Sequence, residues 1–190
     1  MQIFYTKNNN TLMINFSNLP ITKTENFYNY TLLFNDDKLV GINIFNFENT
    51  FNLTTGIIWP QNDLLNWIKS ITNIDFNSDI TRHFVIVEVC DCEPIPKTHL
   101  HKCIVSDGKS KYNIICGASN VKKGLKTVLA KVDTILPNGK YITSGQVMGF
   151  QSDGMLCSYK ELNLPSNKLG VIEVDNNFKI GDEFLPVYKL

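Results

Sequence analysis

Hydrophobic and polar positions divide the chain into two stretches with different rhythms. In the first, apolar residues come in short runs broken by Asn-rich turns. Thr11-Leu12-Met13-Ile14-Asn15-Phe16 and Tyr30-Thr31-Leu32-Leu33-Phe34 have the β-branched and aromatic composition of strands. Asn35-Asp36-Asp37-Lys38 supplies a turn and Leu39-Val40-Gly41-Ile42-Asn43-Ile44-Phe45 returns, which predicts a hairpin. Past Trp59-Pro60 the period changes. Leu64, Leu65, Trp67, Ile68 and Ile71 recur at helical spacing, with Asn62 or Asp63 placed to cap the start. The rings of Phe45, Phe47, Phe51, Trp59 and Trp67 could stack on bases, but their spacing predicts core packing.

The polar stretch Asp75–Thr81 predicts a boundary. Beyond it the period is that of strands throughout. Val85, Val87 and Val89 alternate with Ile86, Glu88 and Cys90, as in a strand half-buried against a core. Further strands are predicted over 100–105, 112–116, 127–132, 141–143 and 171–174, with glycines between them at short intervals. Tyr159–Leu162 is the one helix-like piece. The pattern predicts a mainly β protein: a small α+β domain over 1–80, then a small barrel or sandwich over 81–190.

Composition narrows the function classes. The chain has 190 residues, 43% of them apolar, enough for one large core or two small ones. No apolar run approaches the roughly 20 residues that span a bilayer. The start, Met1-Gln2-Ile3-Phe4-Tyr5-Thr6-Lys7, lacks the charged-then-apolar build of a secretory signal, so a cytoplasmic protein is expected. Five cysteines, an odd number absent from the first 89 residues, make a poor disulfide framework and fit reduced thiols.

Zero net charge hides an asymmetry. Residues 1–81 carry four lysines against seven acids, whereas nine lysines between 97 and 140 face only Asp107 and Asp133. Such a run can be a solvated face, and it can also steer an anionic polymer onto one surface. Cys90-x-Cys92 with His99-x-His101-x-Cys103 offers ligand types that zinc prefers. Yet C-x-C on a straight strand gives little convergence, and no metal or other cofactor is expected. Cys116 has no His or acid placed beside it by sequence, and no phosphate-cradling or dinucleotide-binding glycine motif occurs. These observations predict a protein that is not an enzyme.

Three ordered segments carry a resemblance. They are Cys116-Gly117-Ala118-Ser119-Asn120-Val121-Lys122-Lys123-Gly124, then Ala130-Lys131-Val132 with Leu136-Pro137-Asn138-Gly139, then Ser152-Asp153-Gly154-Met155-Leu156-Cys157-Ser158 with Glu161-Leu162. On them, residues 84–185 resemble the tRNA-binding domain at the N-terminus of the bacterial phenylalanyl-tRNA synthetase beta chain. The same domain occurs in some methionyl-tRNA synthetases and in free-standing proteins of the YtpR type, whose small preceding domain this chain also shares. The resemblance implies an oligonucleotide-binding (OB) barrel that holds tRNA by its folded shape. It also implies association as a homodimer. Two departures are visible. The segment Ile95-Pro96-Lys97-Thr98-His99-Leu100 is one residue shorter than the family's usual run, and Met148 stands where the family usually carries Arg.

The candidate RNA-binding residues follow. Lys97, Lys122, Lys123, Lys126, Lys131 and Lys160 would neutralise phosphates, each with an equally simple role as a solvated charge. Asn120, Ser152 and Ser158 would bond phosphate oxygens or 2′-hydroxyls, or else the nearby backbone. Met155 would be an apolar platform or a core plug. The rival reading keeps the barrel but makes it a protein-interaction or dimerisation module with weak or no RNA binding.

Overall fold

A computed structural model describes residues 1–74 and 83–184. The predicted boundary at 75–81 lies outside the described residues. The chain divides into two compact units, Met1–Arg82 and His83–Leu190.

In the first unit six antiparallel strands form one sheet: β1 (Gln2–Thr6), β2 (Thr11–Asn15), β3 (Lys23–Asn26), β4 (Tyr30–Asn35), β5 (Lys38–Ile44) and β6 (Gly56–Ile58), in the order β3-β4-β5-β2-β1-β6. The β4–β5 pair is the predicted hairpin, closed where Asn35 faces Lys38. Helix α1 (Asn62–Thr72) packs Leu64 and Ile68 into one core with Ile3, Tyr5, Leu12, Ile14, Ile42 and Ile44. Its cap differs from expectation. Gln61 holds the N-cap position without a side-chain cap bond, so Asn62 and Asp63 are the first helical residues. Asp63 still sits in the first turn, where its charge favours the exposed N–H groups. Phe47 is buried and meets Trp67 edge-on at 5.1 Å, while Phe51 and Trp67 are half-buried beside it. Phe45, expected in the core, is instead exposed at the end of β5.

In the second unit β7 (Phe84–Pro94), β8 (His101–Ser106), β9 (Lys111–Cys116), β10 (Lys126–Ala130) and β13 (Met155–Leu156) form an antiparallel sheet in the order β13-β10-β7-β8-β9. Between β10 and β13 the chain throws out a two-stranded ribbon, β11 (Gly145–Val147) and β12 (Phe150–Ser152). The sheet curls until its two ends nearly meet. There the Asp153 N–H donates to the Asn113 carbonyl at 2.7 Å and the Ile115 N–H donates to Ser152 Oγ at 3.2 Å. Five strands in this order, nearly closed, make an OB barrel. Val85, Val87, Val89, Cys103, Val105, Ile114 and Leu129 fill it from alternate strand positions. Gly154 is required where β12 turns into β13: φ is +140°, and a Cβ would lie 2.7 Å from the Ala130 carbonyl oxygen.

Several predicted elements are corrected. Ile86 is buried along with Val85 and Val87, because the segment from Gly181 to Phe184 returns along β7 and bonds its backbone. Residues 141–143 and 171–174 are not strands; each contributes a single bridge, Ile135 with Tyr141 and Ser158 with Val171. Tyr159–Leu162 forms turns rather than a helix. Strand β10 ends at Ala130, so Lys131 lies just beyond it.

Candidate nucleic-acid interface

The segment after β9 and the segment after β13 are tied together by one residue of the C-terminal return, Val171. The Asn120 amide donates to the Val171 carbonyl at 2.9 Å and accepts from the Val171 N–H at 2.9 Å, as a neighbouring strand would. Its Nδ2 also donates to Glu173 Oε1 at 3.0 Å. On the other side Ser158 forms the bridge to Val171. Ser158 and Glu161 make a capping-box exchange: the Ser158 N–H and Oγ–H donate to Glu161 Oε2 at 2.8 and 2.7 Å, and the Glu161 N–H donates back to Ser158 Oγ. Asn120 and Ser158 therefore frame two turns, and those turns carry exposed Lys122, Lys123 and Lys160. The first turn is fixed by buried Val121 and Leu125 on either side, and by the Gly124 N–H donating to the Val89 carbonyl.

A few residues back along the same two strands lies a cleft of about 310 Å³. Ile115, Ser152, Met155, Tyr141 and the inner edge of the β11–β12 ribbon line it, with exposed Lys140 at its rim. Ser152 is buried, accepting from Ile115 and donating to the Gly154 carbonyl at 3.3 Å. Met155 is half-buried, and Lys140 Nζ reaches its sulfur at 3.8 Å.

Lys97 sits in the β7–β8 connection, exposed, at φ +62° in the turn from Ile95 to Thr98. Pro96 before it sets the φ of the preceding corner, so the turn places Lys97 where Gly or Asn is normally favoured. Two further lysines are engaged within the fold. Lys126 Nζ donates to the Phe178 carbonyl at 3.3 Å. Lys131 Nζ pairs with Asp107 Oδ2 at 3.1 Å and lies 5.4 Å from the centre of the Tyr112 ring. Burial pushes the Asp107 carboxyl up. The Ser110 N–H, the Tyr112 hydroxyl, the Lys109 N–H and the Lys131 ammonium outweigh it, and hold the group well below the usual carboxylate range.

Of the ten sequence-derived candidates, the fold thus collects Asn120, Lys122, Lys123, Ser158 and Lys160 about Val171 and brings Ser152 and Met155 into the cleft. Lys97 stands on a separate loop, and Lys126 and Lys131 spend their charge on protein atoms. Lys140 and Lys102, from the same basic stretch, are exposed beside the ribbon. Lys102 Nζ lies 5.9 Å from the centre of the Phe150 ring. The ribbon turns at Met148-Gly149, a pair without the Asn, Asp or Gly first residue that marks such a turn in sequence.

The cysteines do not build a centre. Cys92 and Cys103 face each other across β7 and β8, sulfurs 3.7 Å apart. Among the described residues no group of three or more His, Cys, Asp or Glu converges on a metal-sized point. Burial raises the Cys116 thiol, which makes it a poor nucleophile.

The family described as "Putative tRNA binding domain" matches residues 84–183. The chain belongs to the tRNA-binding-domain family. Outside that domain the likeness extends over nearly the whole length of one relative. "Putative tRNA-binding protein YtpR" of Bacillus subtilis is 30% identical over 201 residues, 97% of this chain and 99% of that protein. "Uncharacterized protein MG449 homolog" of Mycoplasma pneumoniae is 38% identical over 176 residues, 87% of this chain and 75% of that protein. The phenylalanine–tRNA ligase beta subunit of Ehrlichia canis is 40% identical over 121 residues, 61% of this chain and 15% of that subunit. Within the family domain, the Cys116–Gly124 and Ser152–Leu162 segments are those that meet at Val171, and the second also lines the cleft through Ser152 and Met155.

Proposed function

We propose that this protein binds tRNA without acting on it chemically, through the basic turns of its OB barrel, and recognises the folded body of the molecule. The observation that carries the reading is the exposed group Lys122, Lys123 and Lys160 on two turns held rigidly about Val171. Ammonium groups on fixed turns, spaced over a curved surface, suit a phosphate ridge, and their placement supplies shape selectivity without reading base edges. Lys97, Lys102 and Lys140 extend the same sign of charge. Asn120, Ser152 and Ser158 serve this surface by holding the backbone that displays it. Reduced cysteines and a tRNA partner together favour the cytoplasm as its compartment.

Titration of the full chain with tRNA in a gel-shift or filter-binding assay at two salt concentrations tests this. Six or so phosphate contacts give an affinity loss of about a thousandfold between 50 and 200 mM salt. Absence of measurable binding at low salt would remove the proposal, and capture of a protein partner that survives nuclease treatment would favour an interaction module instead.

A further inference from the structure

Two thiols face each other across the barrel sheet. Cys92 on β7 stands directly opposite Cys103 on β8, with the sulfurs 3.7 Å apart. A bulge aims them. Val89 pairs with Val105 and Asp91 with Ile104, so Cys90 is the extra residue between. Without it, the inward alternation of Val85, Val87 and Val89 would turn Asp91 to the core and Cys92 to solvent. With it, Cys92 packs against the same core as Cys103. Directly opposed residues of antiparallel strands have Cα atoms about 4.5–5.5 Å apart, inside the range of about 4.4–6.8 Å that a disulfide spans. Closing such a bond therefore needs side-chain rotation and no change of register.

The two thiols differ in access. Cys103 is buried, whereas Cys92 is half-buried and partly open to solvent. Burial raises the Cys103 thiol, which keeps it protonated and slow to attack a reagent first. The Cys92 thiol donates to the Val121 carbonyl at 3.8 Å, in the turn that displays Lys122 and Lys123. The other three sulfurs face backbone groups: Cys90 the Glu88 carbonyl, Cys116 the Ala118 N–H and Cys157 the Met155 carbonyl.

We propose that Cys92 and Cys103 form a reversible dithiol site for a hydroperoxide, with Cys92 as the attacking thiol and Cys103 as the resolving one. The Cys92 thiolate attacks the outer peroxide oxygen and the O–O bond breaks. The alkoxide leaves, taking up the proton that Cys92 gave up, and Cys92 becomes a sulfenic acid. The Cys103 sulfur then attacks the Cys92 sulfur. The S–S bond forms, the S–O bond breaks, and the departing hydroxide takes the Cys103 proton to become water. Two thiols lose two electrons, and the hydroperoxide is reduced to an alcohol and water. A small dithiol restores both thiols by exchange. Oxidation also consumes the S–H that meets Val121, and so removes one contact of the basic turn. None of these steps depends on RNA binding.

The test treats reduced, folded, full-length protein with hydrogen peroxide and maps its peptides without reduction. Two of the five thiols should be lost, and the peptides carrying Cys92 and Cys103 should be linked, with dithiothreitol reversing both changes. Cys90→Ser, which removes the neighbouring thiol from the Cys92 peptide, should form the same link. Cys103→Ser should stop at the Cys92 sulfenic acid and accumulate its dimedone adduct, which wild type loses to ring closure. No link in folded wild type, a link through Cys90 or Cys116, or equal dimedone capture in wild type and Cys103→Ser overturns the proposal. The wild-type and Cys90→Ser maps leave the buried core unaltered, so they decide the matter even if Cys103→Ser does not fold.

Discussion

Asn120 donates to and accepts from the backbone of Val171 with one amide, so its removal orphans a carbonyl and an N–H together. Asn120→Ala should therefore cost about 1–3 kcal/mol of stability, read as a lower melting temperature. Measured where both proteins are folded, the salt slope of RNA binding should be unchanged, because no charge is lost. Asp107 makes a second prediction, in pH. Its carboxyl is lowered relative to the unfolded chain by Ser110, Tyr112, Lys109 and Lys131, which outweigh its burial. The unfolded state thus takes up the proton first as pH falls, and stability present above about pH 4 is lost progressively below it. Asp107→Asn should lower the melting temperature at neutral pH and flatten its fall in acid, when melting is followed from pH 7 to pH 2.

At the scale of elements, the short connections do more than join strands. The β7–β8 turn holds Lys97 at φ +62°, a conformation that glycine adopts freely. Lys97→Gly should raise stability by up to about 1 kcal/mol while lowering the salt slope of tRNA binding by about one, if the ammonium meets a phosphate. An unchanged slope would remove Lys97 from the interface. The same scale explains where prediction from the chain failed. Residues 141–143 and 171–174 have strand-like composition, but each finds only one bridge. Composition reports an affinity for pleated, half-buried surface, whereas pairing depends on which edge the barrel leaves open. Ile86 errs in the other direction. Its alternation with Val85 and Val87 reads as an exposed face, and a segment almost a hundred residues later covers it.

For the molecule as a whole, charge is uneven along the chain, with the acidic excess in residues 1–81 and the lysines concentrated after 97. The double variant Lys122→Ala/Lys123→Ala should leave melting nearly unchanged, since both side chains are exposed, and reduce the salt slope by about two. A slope equal to wild type would show that the turn faces away from the RNA.

Strand content, the hairpin, the helix, the barrel's alternating valines and the family were all legible in the chain itself. Each is written in local periodicity or in contiguous motifs, and neither depends on distant partners. Which lysines remain free was not legible. Lys122 and Lys131 look alike in sequence, and only the approach of Asp107 and Tyr112 from other parts of the barrel neutralises one of them. Ser152 and Asn120 look like ligands for RNA until the fold brings Ile115 and Val171 against them. Coulomb attraction and hydrogen bonding act over a few ångströms in space and are blind to sequence separation. The assignment of a polar group to partner or to solvent is therefore made by tertiary structure.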